Sequence, residues 1–83
     1  MARLPRARAK EHVRAFQRDG WTVARITGSH YILAKEGCDY ELSIPYHRGQ
    51  TVKVGLLKGL IRDAGLTNEE YLDLFYKKRR RRR

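Results

Sequence analysis

A single cysteine in a chain of 83 residues constrains this protein more than any other feature. Cys38 has no second thiol to pair with and no companion for a structural zinc site, so neither a disulfide nor a metal staple is available. A chain this short buries only about 60% of its unfolded surface, which leaves one small core held by packing alone. Multi-lobed enzymes, dinucleotide-binding folds and solenoid repeats are excluded on size. No apolar run approaches the roughly 18 to 20 residues of a membrane span. The start, Met1-Ala2-Arg3-Leu4-Pro5-Arg6, has charges but no apolar segment behind them, so the chain reads as soluble and cytoplasmic, with no membrane partner.

The spacing of apolar residues orders the elements. Ala9, Val13 and Phe16 fall on one face of a helix that runs to Asp19 and is closed by Gly20, with Trp21 placed to fold back on the last turn. Trp21 to Thr27 and Ser29 to Lys35 are rich in β-branched and aromatic residues, with Gly28 as the turn between two strands. Tyr40 to Ile44 alternates apolar and polar residues, predicting a third strand that ends at Pro45. Leu56, Leu57, Leu60, Ile61 and Ala64 recur at helical spacing up to Gly65, and Thr67-Asn68-Glu69-Glu70 has the form of a capping box that starts a further helix. The expected fold is α+β, with helices on one face of a short antiparallel meander. The domain is expected over residues 1–76, followed by a polybasic tail over 77–83.

Charge is distributed unevenly. Nineteen Lys and Arg against nine Asp and Glu give +10, of which residues 1–25 contribute +5, residues 26–76 contribute −2 and Lys77 to Arg83 contribute +7. A basic surface releases counterions on binding a polyanion, which favours nucleic acid as partner. The same tail also reads as a solvated charge run.

Catalysis requires a titrating group, a nucleophile or a metal, and few residues qualify. The acidic residues Glu36, Asp39 and Glu41 lack the paired geometry of two-metal or acid/base carboxylate sites. No phosphate-cradling loop and no nucleophile elbow occur, so no metal or cofactor is expected. His30, in Gly28-Ser29-His30-Tyr31, stands at the start of a strand behind a glycine that permits close approach. An imidazole titrates near pH 6.5 and can take and return the proton of a ribose 2′-OH that attacks its own phosphate, without a metal. The alternative is a surface histidine that caps the strand end by a hydrogen bond. His47 follows the third strand and reads as a loop residue or a second imidazole of the site, and His12 as a partly buried packing residue. Tyr31, Tyr46 and Trp21 read either as core or as stacking surfaces for bases.

Arg3-Leu4-Pro5-Arg6, Asp19-Gly20-Trp21, Gly28-Ser29-His30, Ile44-Pro45-Tyr46-His47, Gly55-Leu56-Leu57 and Ala64-Gly65-Leu66 together resemble the HicA (YcfA-like) toxin family, from about Leu4 to Phe75. The resemblance implies a double-stranded-RNA-binding-like α-β-β-β-α fold, here with an additional C-terminal helix. It also implies mRNA interferase activity, an mRNA substrate and a HicB-like antitoxin in a toxin–antitoxin hetero-oligomer. The histidine after Gly-Ser, His30, takes the catalytic role. Gly28, Ser29, His47, Arg48, Lys53 and Lys58 are the expected RNA-binding residues, the last three cations on charge and position. Family members often carry two basic residues before the glycine that opens helix two, where this chain has Lys53-Val54-Gly55, which implies a weaker grip on RNA there. Two other readings fit the same residues: a non-catalytic RNA-binding module of this fold, and a polybasic adaptor acting through its tail on anionic surfaces.

Overall fold

A computed structural model describes residues 3–76, in the order α1 (Ala9–Arg18), β1 (Thr22–Thr27), β2 (His30–Ala34), β3 (Leu42–Pro45), α2 (Val54–Asp63) and α3 (Asn68–Phe75). The fold is α+β, as expected: an α-β-β-β-α unit with one further helix. The polybasic segment 77–83, and with it the division of the chain after residue 76, lies outside the described residues.

The first two helices stop in the same way. At the end of α1 the Gly20 N–H donates to the Gln17 carbonyl (3.0 Å) and the Trp21 N–H to the Phe16 carbonyl (3.2 Å). At the end of α2 Gly65 and Leu66 repeat the pattern on Arg62 (3.0 Å) and Ile61 (3.1 Å). This paired 5→2 and 6→1 arrangement satisfies carbonyls the helix leaves open, and it requires a left-handed residue, which Gly20 supplies with φ at 102°. Around it, Asp19 accepts from the Trp21 indole N–H (3.3 Å) and from the Lys35 ammonium (3.2 Å), so Asp19-Gly20-Trp21 forms a locked corner between helix and sheet. Gly20→Ala is therefore expected to cost about 1–2 kcal/mol, the penalty of a left-handed Cβ. The measurement is a fall in the urea midpoint at unchanged slope. The third helix opens with the capping box read from sequence: the Glu70 N–H donates to Thr67 Oγ1 (3.1 Å) and the Thr67 N–H to Glu70 Oε1 (2.9 Å).

The sheet is an antiparallel meander in the order β1-β2-β3, with a register shift between Val23 and Arg25. Pairing sets Leu33 opposite Leu42 and Tyr31 opposite Ile44, and these residues face the helices. The core joins them to Val13, Phe16 and Trp21 from the first half of the chain and to Leu57, Ile61 and Tyr71 from the last two helices.

Three expectations change. The third strand ends at Pro45 as expected but starts at Leu42 rather than Tyr40, whose hydroxyl donates to the Asp63 carbonyl (2.5 Å). Trp21 precedes β1 instead of opening it, and its ring is almost wholly buried beneath the helix corner. His12 is completely buried rather than partly so: its Nδ1 lies 2.5 Å from the Tyr71 hydroxyl, while Nε2 has no partner. The segment before α1 lies outside the helix, as expected, yet it is folded. Leu4 and Ala7 are buried, Arg8 bridges to Thr51, and the Val52 N–H donates to the Ala7 carbonyl (2.8 Å).

Candidate functional site

Strand alternation fixes where His30 stands. With Tyr31 and Leu33 turned to the core, His30 and Ile32 belong to the opposite face, together with Thr27, Arg25, Ser43 and Pro45 from the neighbouring strands. No buried residue of the core comes from this side of the sheet, so the face is open to solvent. His30 pairs with Thr27 on one side and Pro45 on the other, at the end of the meander, and is exposed. Its ring makes no hydrogen bond to another described residue, so the strand-capping alternative has no partner to rest on. Gly28 leaves open space, with no atom beyond its own chain neighbours within 4 Å of the point where a Cβ would stand.

The same end gathers most of the expected residues. The Ser29 carbonyl accepts from the Tyr46 N–H (2.5 Å), which extends the β2–β3 pairing past Pro45 and brings the start of the following loop beside Gly28-Ser29-His30. His47 opens a turn closed by the Gln50 N–H on its carbonyl (2.9 Å), and Arg48 lies inside that turn. Both are exposed. Gly28, Ser29, His30, His47 and Arg48 thus share one pole of the domain.

Lys53 and Lys58 are set further along. Lys53 precedes the first residue of α2 and lines a hollow of about 230 Å³ with Arg6 and Thr51, whereas Lys58 lines a larger groove of about 850 Å³ with Arg3 and Arg6. The two hollows share Arg6 and Val54. Arg3 and Arg6 were missed as site residues because they precede the first periodic helix. The signal available was the apolar pair Leu4 and Ala7, which marks the segment as packed.

On the open face Arg25 and Glu41 form a two-pronged ion pair at 3.1 and 2.9 Å, and the guanidinium holds the Glu41 carboxyl below its ordinary range. Arg3, Arg6, Arg48, Lys53 and Lys58 make no ion pair with another described residue, so their charge is available to an external anion. Two half-exposed aromatic residues sit on the helix side of the same pole, with the Tyr31 and Tyr46 rings edge to face at 5.8 Å. Trp21, the third aromatic weighed as a stacking surface, is core. Among the described residues no group of three or more His, Cys, Asp or Glu could hold a metal ion, and no helix is long and apolar enough to cross a membrane.

No curated protein matches the chain. A sequence model of one family, described as the HicA toxin of bacterial toxin-antitoxin, matches residues 9–66. The match runs from the first residue of α1 to the residue after Gly65, and it spans the three strands, His30 and the loop that carries His47 and Arg48.

Proposed function

Because the chain belongs to the HicA toxin family of bacterial toxin–antitoxin systems, we propose that it is an endoribonuclease that cleaves mRNA by metal-independent transesterification, with His30 as general acid and base. His30 takes the proton from a ribose 2′-OH; O2′ bonds to the adjacent phosphorus, the P–O5′ bond breaks, and the imidazolium returns the proton to the departing O5′. One strand is cut, leaving a cyclic phosphate and a free 5′-OH. General acid–base help of this kind contributes about 10²- to 10⁴-fold.

The observation that carries the reading is the position of His30: an exposed imidazole on the open face of the sheet, with no hydrogen-bond partner among the described residues, at the pole that also carries the unpaired Arg48. Gly28 and Ser29 let the RNA backbone approach. Arg48 and Lys53 hold phosphates beside the scissile one, and Lys58 extends the cationic track. His47 contacts the substrate from the adjoining loop. The partner is a HicB-like antitoxin that covers His30 in a hetero-oligomer, and the site of action is the cytoplasm, where mRNA is translated.

The test is cleavage of a defined RNA by the purified protein in excess chelator. Cleavage is expected to persist, and an equimolar antitoxin is expected to abolish it. Binding without cleavage would replace this reading with the non-catalytic RNA-binding module. Full cleavage by the toxin–antitoxin complex would show that the partner leaves His30 open.

A further inference from the structure

The groove of about 850 Å³ lies between the segment before α1, the first turns of α2 and α3, which contributes Asn68 at its start and Tyr76 just past its end. We infer that this groove is a second RNA-binding site, which takes the phosphate backbone of a single strand and stacks a base on Tyr76. The inference rests on the reading of the substrate as RNA, and it adds a site remote in sequence from the Gly-Ser-His segment.

The lining supplies the chemistry. Arg3, Arg6 and Lys58 contribute three cations, no acidic residue lines the groove, and Leu4 and Val54 form part of its apolar wall. The nearest acids in sequence are on α3: Glu69 is exposed beside the lining residue Asn68, Glu70 is engaged with Thr67 in the capping box, and Asp73 stands three residues before Tyr76. Tyr76 is 55% exposed, and its ring is braced edge-on by Phe75 at 5.0 Å between centroids. Cations that track a backbone beside a fixed aromatic ring are the two elements that hold single strands without sequence preference. The volume lies within the roughly 300–1,000 Å³ that encloses a drug-sized ligand, enough for a short stretch of strand.

Position favours RNA over an acidic peptide as occupant. The smaller hollow of Arg6 and Lys53 continues the groove, and the loop beyond it leads back through Arg48 and His47 to Tyr46, which is bonded to Ser29. A strand in the groove is thereby on a cationic path to the His30 pole. In sequence, Tyr76 is followed directly by seven Lys and Arg residues. The groove joins Val54 and Lys58, inside the residues that match the family model, to Arg3, Arg6 and Tyr76, which lie outside them.

The experiment measures binding of a fluorescent single-stranded RNA by anisotropy over a range of salt concentrations. The RNA carries 2′-O-methyl groups so that no 2′-OH can attack. The full chain is compared with Arg3→Ala/Arg6→Ala, Lys58→Glu, Tyr76→Ala and Tyr76→Trp, and with Lys10→Ala/Arg14→Ala, which removes two exposed cations of α1 that do not line the groove. Melting curves check that each variant is folded. The Arg3/Arg6 pair is expected to flatten the log–log salt slope by about 1.4, at about 0.7 per phosphate contact on a single strand, and the α1 pair by much less. Lys58→Glu should weaken binding further. Tyr76→Ala should weaken it on the order of tenfold without changing the slope, and Tyr76→Trp should retain it. Equal slopes for the Arg3/Arg6 and Lys10/Arg14 pairs would overturn the proposal. So would retained RNA affinity with lost binding of a fluorescent oligoglutamate peptide, which would assign the groove to an acidic protein partner. Cleavage of unmodified RNA is followed in parallel. Groove-dependent binding without any cleavage by the wild type would support the groove while refuting the ribonuclease, and cleavage with unchanged groove variants would do the reverse.

Discussion

Replacing His30 by alanine is expected to lower RNA cleavage by about 100- to 10,000-fold, the usual contribution of a general acid or base. The affinity for RNA should change little, since the loss belongs to the transition state and appears in kcat rather than KM. The fold should be unaffected, because His30 is exposed at a strand end and contributes nothing to the core. His47→Ala is expected to cost less, as a binding residue of the adjoining loop. The measurement compares wild type, His30→Ala and His47→Ala on one RNA in chelator, each after a melting curve. Near-normal cleavage by a folded His30 variant would end the assignment. An inactive His47 variant beside it would move the chemistry into the loop after β3.

The second large effect concerns stability and acid. His12 is wholly buried between α1 and α3, with its ring against Tyr71 and 5.4 Å from that of Phe75. Burial lowers its pKa to about 4, although the Glu11 carboxylate and a hydrogen bond to the Ala7 backbone oppose the shift. The unfolded chain binds this proton near pH 6.5, whereas the folded chain resists it until about pH 4. Full stability is therefore present above pH 6.5 and is lost as pH falls through that window, by on the order of 3 kcal/mol. That is a large share of the total for a domain of this size. Urea midpoints measured between pH 7 and pH 4.5 should fall steeply, and His12→Leu should remove most of the slope, because a leucine there has no proton to bind. A wild-type midpoint that is flat over this range would refute the account.

Both predictions turn on histidines, and sequence separated the two unequally well. The helical face of Ala9, Val13 and Phe16, the two glycine stops and the Thr67 box were legible because each depends on neighbours within a few residues. The order of three strands followed from the same local signals. The depth of His12 was not legible, because it depends on Tyr71 in the last helix. The start of β3 was misread because Tyr40 continues the alternation while its hydroxyl bonds to Asp63. For the candidate site, Gly28-Ser29-His30 was visible as a motif, yet nothing local said that His30 faces away from the core. That follows from the register, which sets Tyr31 on Ile44 and Leu33 on Leu42. The division of the cations was also hidden, since Lys53 and Lys58 are five residues apart yet line different hollows, and Arg6 joins them from the segment before α1.

The bond between His12 and Tyr71 spans 59 positions of the chain, and this has a consequence for the time at which the protein becomes rigid. The meander is built from contacts between successive strands, which close early because their loops are short. During synthesis α1 and the three strands leave the ribosome first, and the His12 and Phe16 rings lack their Tyr71 neighbour until α3 arrives. The residues of the His30 pole are thus all made well before the core that steadies them is sealed. A growing chain carries the whole chemical outfit of the site on a loose support, and the support hardens only when one of its last helices docks.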